Sequence, residues 1–150
     1  MKAKLAFAIV FAALLSYAGC QEKEGALRTV DVGSRANDNL GLWLSNESLH
    51  DEDKRPRINK AVVWVDGTET SIQPKIESHN SKYGWSEIAA FAVPAEAKSA
   101  KIQATVESYG KVYTVTRTWT REQAEGSAQG SWKAESESIE LLQEQGNGKP

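Results

Sequence analysis

Cysteine occurs once in this chain of 150 residues, at Cys20, which excludes an internal disulfide and a thiolate zinc site. Histidine is almost as scarce, with only His50 and His79. Positive charge is not in excess. The chain has 18 Lys and Arg against 20 Asp and Glu, a net charge of −2 and a pI near 5.8, which argues against a basic nucleic-acid-binding domain. No apolar run approaches the ~20 residues that a transmembrane helix needs. The longest, Leu5 to Leu15, has 11. Also missing are a Ser nucleophile elbow, a His-Glu-x-x-His helix and a phosphate-cradling Gly loop. One domain is expected at this length, with no cofactor and no catalytic activity.

What is present begins at the N-terminus. Lys2 and Lys4 precede the apolar run and small residues follow it, the three-part layout of a secretory signal peptide, so residues 1–19 are set aside from the fold. The stretch Ser16-Tyr17-Ala18-Gly19-Cys20 resembles the lipobox of bacterial lipoproteins. Ala18, Gly19 and Cys20 match, while Tyr17 stands where an aliphatic residue is usual. That resemblance implies cleavage before Cys20 and acylation of its sulfur and its new amino group. Gln21 at the next position, in place of Asp, implies sorting to the outer membrane, facing the periplasm. Ser16-Tyr17-Ala18 also fits the small-x-small pattern of ordinary signal peptidase, and a soluble secreted protein is the alternative. Two or more acyl chains anchor stably where one binds reversibly. Residues 20–26 form the tether and reach at most ~25 Å when extended. Without Lys2 and Lys4 the side-chain net charge is −4, so anionic lipid exerts no pull and the acyl chains must hold the protein to the membrane.

Beyond the tether the hydrophobic period is mostly two. Leu40, Leu42 and Leu44 alternate with Gly41 and Trp43, and short apolar runs occupy 61–65 and 88–93. Strands are predicted at 27–33, 39–45, 59–66, 70–77, 86–93, 100–108 and 111–120, with an eighth at 131–139. The clearest element spans 100–120. Taking Tyr109-Gly110 as a two-residue hairpin loop pairs Ser108 with Lys111, then Val106 with Tyr113, Ala104 with Val115, Ile102 with Arg117 and Ala100 with Trp119. That face is dry except for Arg117, which is expected to snorkel near an edge. The other face, with Thr105 opposite Thr114, Gln103 opposite Thr116 and Lys101 opposite Thr118, suits water. One dry and one wet face per sheet predicts an all-β, small two-sheet β-sandwich, immunoglobulin-like or transthyretin-like, over residues 27–140. A disordered tail is expected over 141–150.

Few residues invite chemistry. His50, Asp51, Glu52 and Asp53 cluster in the loop before Lys54, Arg55 and Arg57, and read first as a solvated, self-compensating charge run. They match no metal-ligand spacing, and no metal is expected. Indoles favour half-buried, half-wet positions such as binding surfaces. Trp64 and Trp119 are expected in the core. Trp43, alternating against three leucines, is expected to face out, and Tyr83 and Trp85 are placed in a loop beside Gly84. Partner-binding candidates are therefore Trp43, Tyr83 and Trp85, with His50, Asp51, Glu52 and Asp53. Together these readings predict a membrane-anchored periplasmic lipoprotein, a non-catalytic binding or structural module with an envelope or periplasmic protein as partner and no nucleic acid. The alternative is an immunity or inhibitor lipoprotein whose acidic loop plugs a toxin or hydrolase.

Overall fold

A computed structural model describes residues 27–30, 38–46, 51–82, 84–123 and 130–144. The leader 1–19, Cys20 and its tether, His50, Tyr83 and residues 145–150 lie outside the described residues.

Among the described residues alternating side chains build nine strands: β1 (Arg28–Val30), β2 (Asn39–Ser45), β3 (Arg57–Val65), β4 (Thr68–Glu69), β5 (Lys75–Ser81), β6 (Gly84–Ala92), β7 (Ser99–Ser108), β8 (Lys111–Glu122) and β9 (Ser131–Glu144). One sheet has the order β1-β2-β6-β5 and the other β4-β3-β7-β8-β9, all pairs antiparallel. Of the two sandwich types expected, this is the immunoglobulin order, with β4 and β9 extending the second sheet.

Two tight turns follow from their residues. Asp66-Gly67 and Tyr109-Gly110 hold positive φ at both positions (49° and 80°, then 51° and 68°), the twist that lets a two-residue loop join antiparallel strands. Asp66 also accepts from the amides of Ser99 (2.8 Å) and Lys98 (2.9 Å), which hold its carboxyl below the usual range and tie the β3–β4 turn to the start of β7. The β7–β8 register matches the predicted one, from Ser108 opposite Lys111 to Ala100 opposite Trp119.

Leu42, Leu44, Val63, Ile102, Val106 and Val115 fill the space between the sheets, and Phe91 meets Trp119 edge-on with ring centres 5.9 Å apart. Trp64 departs from expectation. It shares the outer row of β3 with Val62 and lies half-buried beneath the Lys101 ammonium, 3.9 Å from its ring centre. Arg117 does not snorkel. It is buried on the dry face, 3.4 Å from Glu137, its register partner on β9. The strand predicted at 70–77 starts late: β4 ends before it at Glu69, residues 70–74 are not strand, and β5 begins at Lys75 and runs on to Ser81. Pro74 cannot donate to a ladder, and Thr70 turns back to Val63 through both its amide (2.9 Å) and its hydroxyl (3.0 Å). β9 runs to Glu144, past the 140 boundary expected for the domain.

Candidate functional site

The two flanks of the sandwich, where the edge strands of one sheet approach those of the other, are built differently. At the β1/β9 flank Trp132 is buried, and its indole N–H donates to Asp38 at 3.4 Å. Arg121 bonds Asp38 and the Ala95 carbonyl, with its guanidinium 4.6 Å from the Trp132 ring centre. Glu137 takes both the Thr29 hydroxyl and Arg117. That flank is bridged by side chains at these points, while β9 remains an edge strand whose far end carries the exposed Leu141 and Leu142.

The β3/β5 flank is open. β4 has only two residues, so it covers β3 at Trp64 and Val65 and no further. The Val65–Thr68 pair closes the turn and Val63 accepts from Thr70, so alternation turns the Ala61 amide and carbonyl toward the same uncovered side. Across from it β5 is exposed at all seven positions, and Ile76 keeps 42% of its surface in water. Between them lies a groove of ≈ 400 Å³ lined by Asn59, Ala61, Thr70, Ile72, Pro74 and Ile76 among others. A strand edge beside a partly apolar groove can take an extended peptide, main chain to main chain.

A polar cluster closes the end of the sandwich next to this flank. Asn46 is fully buried and donates to the Ser108 hydroxyl (2.8 Å) and the Lys54 carbonyl (2.5 Å), which fixes the 46–57 loop to the β7–β8 hairpin. Asp51 caps a single 3-10 turn, Glu52–Lys54, by accepting from the Asp53 amide at 3.1 Å. Lys54 lies 2.9 Å from Asp51, Arg55 3.4 Å from Glu52 and Arg57 3.9 Å from Asp53. The Lys54 ammonium holds the Asp51 carboxyl below its usual range. Arg55 also reaches inward, 5.1 Å from the Trp85 ring centre. Beside Trp85 on the inward row of β6, Glu87 is 5% exposed and accepts from the Ile58 amide, where β3 bulges. Burial pushes the Glu87 carboxyl above its usual range, against the pull of Arg55 and Arg57. One of its oxygens has no hydrogen-bond partner among the described residues.

Arg55 thus brings together Glu52 and Trp85, which the sequence left in separate loops. Trp85 is not in a loop. It is half-buried in β6, opposite Asn80. Trp43 does face away from Leu40, Leu42 and Leu44, and it pairs with Ile88 on the outer face, so it does not join Trp85. Asp51, Glu52 and Asp53 are grouped on one turn, each beside a base of its own loop. His50 and Tyr83 lie outside the described residues. Among the described residues no group of three or more His, Cys, Asp or Glu is placed to hold a metal ion.

Sequence reasoning missed Arg55, Glu87 and the groove. A signal for Glu87 existed: counting back from Phe91 in steps of two lands on it, so the alternation that buries Phe91 and Ala89 also buries a carboxylate. No protein-family model matches the chain, and no curated protein or solved structure does.

Proposed function

We propose that the protein is a lipid-anchored envelope lipoprotein, held by Cys20 in the outer membrane facing the periplasm, whose sandwich is a non-catalytic binding module. The observation that carries the binding part is the difference between the flanks, one bridged by side chains across the gap between the sheets and one left unbridged, with an open strand edge beside a groove of ≈ 400 Å³. The ligand that suits it is an extended segment of an envelope protein. Open edges are where natural sandwiches aggregate unless blunted or used. The anchor is supported by the lipobox-like Ala18-Gly19-Cys20 and by the short span from Cys20 to Leu27, which is already part of the core. The tether keeps the sandwich near the bilayer surface, where partners are other envelope components.

The inhibitor reading loses support from the turn itself. Lys54, Arg55 and Arg57 stand beside Asp51, Glu52 and Asp53, so the turn has little net negative charge with which to steer a basic target.

Two measurements on the full-length protein test the proposal. Metabolic labelling with a radioactive fatty acid is expected to mark the wild type and not Cys20→Ser, and label on the mutant would refute the anchor. A photo-crosslinking residue at Gln73, on the groove, is expected to capture a discrete envelope protein in cells, whereas one at Lys133, on the bridged side, is expected to capture none. Equal capture at both positions, or none at Gln73, would remove the groove as the binding surface.

A further inference from the structure

β5 is an edge strand with few of the devices that usually blunt one, its charges being Lys75 and Glu77. It has no proline and no bulge, and all seven of its residues are exposed. Its register with β6 fixes which backbone groups are spare. Ser81 opposite Gly84 closes a two-residue loop, so Ser81, His79, Glu77 and Lys75 spend their amides and carbonyls on β6. The same parity holds on the far side of β6, where Val93 donates to Asp38 at 2.7 Å in continuation of the β2 ladder. Ile76, Ser78 and Asn80 therefore turn their N–H and C=O outward, away from the sheet.

An antiparallel partner identical to β5 can meet these groups about a two-fold axis in only a few ways, and the charges together with the number of residues matched distinguish them. An axis through Ile76 pairs Lys75 with Glu77 twice, but it sets Ser78 against Pro74, which has no N–H to donate, and leaves 79–81 unmatched, while an axis through Asn80 leaves 75–78 unmatched. An axis through Glu77 sets Glu77 against its own copy and Lys75 against His79. An axis through His79 sets His79 against itself and leaves Lys75 unmatched. An axis through Ser78 matches all seven residues: Ser78 meets Ser78, Ile76 meets Asn80, and Glu77 meets His79 twice. Glu77 is suited to that role, because the Lys75 ammonium, 2.6 Å away, holds its carboxyl below the usual range and so keeps it an acceptor. Like charges directly opposite each other destabilise a strand pair, and opposite charges or hydrogen-bonding pairs support it.

The geometry points to self-association of this protein through β5, with Ser78 on the two-fold axis, joining two four-stranded sheets into one of eight. The pairing forms about six main-chain hydrogen bonds, two at each of the three outward-facing positions. On the outer face it sets the Glu77 carboxylate against the His79 imidazole of the second copy. It also places Ile76, the most exposed residue of the groove's apolar lining, beside a second backbone. The inference stands on the β5 edge and does not depend on the anchor, and a peptide paired with the Ala61 edge of β3 would leave the outward groups of β5 for the second copy.

The test uses the full-length chain in mild detergent. Sedimentation is expected to show a concentration-dependent dimer for the wild type. Ser78→Pro is expected to abolish it while leaving the melting transition in place, because the Ser78 amide is not used in the β5–β6 ladder. Glu77→Lys is expected to weaken the dimer about tenfold, and adding His79→Glu is expected to restore it by exchanging the charges. With Cys20→Ser removing the other thiol, Ser78→Cys is expected to form a disulfide dimer quickly under mild oxidation. The Cα atoms of a hydrogen-bonded antiparallel pair lie ~5.5 Å apart, within disulfide range. A monomer at every concentration, a dimer indifferent to Ser78→Pro, or faster crosslinking of Ser81→Cys than of Ser78→Cys would each overturn the proposal.

Discussion

The two flanks of this sandwich solve the same problem in opposite ways. Both sheets end in edge strands, and an edge must be covered, blunted or left available. On one side β9 carries Trp132 and Glu137 over the gap, and Arg121 clamps Asp38, the Ala95 carbonyl and the Trp132 ring into a single cluster. On the other, β4 stops after two residues, Pro74 interrupts the chain, and β5 stays in water. The bridged side therefore ties the two sheets together, while the other leaves them unlinked by side chains at the groove.

Mutations sharpen or break that contrast. The largest effect is expected from Trp132→Ala, which removes a buried indole from the bridged flank and is expected to cost about 3–5 kcal/mol in denaturant unfolding. Arg121→Met follows, at about 2 kcal/mol in the same measurement, because Asp38 and the Ala95 carbonyl both lose their guanidinium partner. Glu87→Gln, near the open flank, is expected to act in the other direction. Burial raises the Glu87 carboxyl above its ordinary value, so the folded state holds that proton more tightly than the unfolded chain does. The stability linked to it is full below the ordinary carboxylate value and declines as pH rises through the raised one. Gln keeps an acceptor for the Ile58 amide and has no charge to bury, so the variant is expected to melt higher than wild type at pH 8 and much less so at pH 4. An equal difference at both pH values would count against a buried carboxylate. The smallest effect is expected from Ile76→Thr, within about 0.5 kcal/mol, since the side chain is largely in water already. If Ile76→Thr destabilised the protein as much as Arg121→Met, the flanks would not differ in the way described.

Much of the fold was legible because alternation is a local signal. Leu40, Leu42 and Leu44 announce an inward row wherever the strand ends up, and Tyr109-Gly110 sets a register that runs true for ten pairs. The bridged flank was not legible. Asp38 and Trp132 are 94 residues apart in sequence, and nothing near either one says that they meet. Trp64 misled for a related reason. In an apolar run, parity alone cannot tell which row is inward, and here Lys101, on the neighbouring strand, covers the ring from outside. The groove was illegible because it is made by an interruption: residues 70–74, read from sequence as the start of a strand, turn back at Thr70 and stay out of both sheets up to Pro74. The acidic turn was legible as a compensated charge run, and only the fold brings the other side of Arg55 to Trp85.

The Arg121 cluster also bears on the order of events as the chain is made. Three of the segments it joins come from the first third, the middle and the last part of the chain, and Trp132 is among the last core residues to emerge. A polypeptide delivered N-terminus first must hold most of its apolar rows ready without their final cover, so closure is a late event and a slow one, as expected where contacts span long stretches of chain.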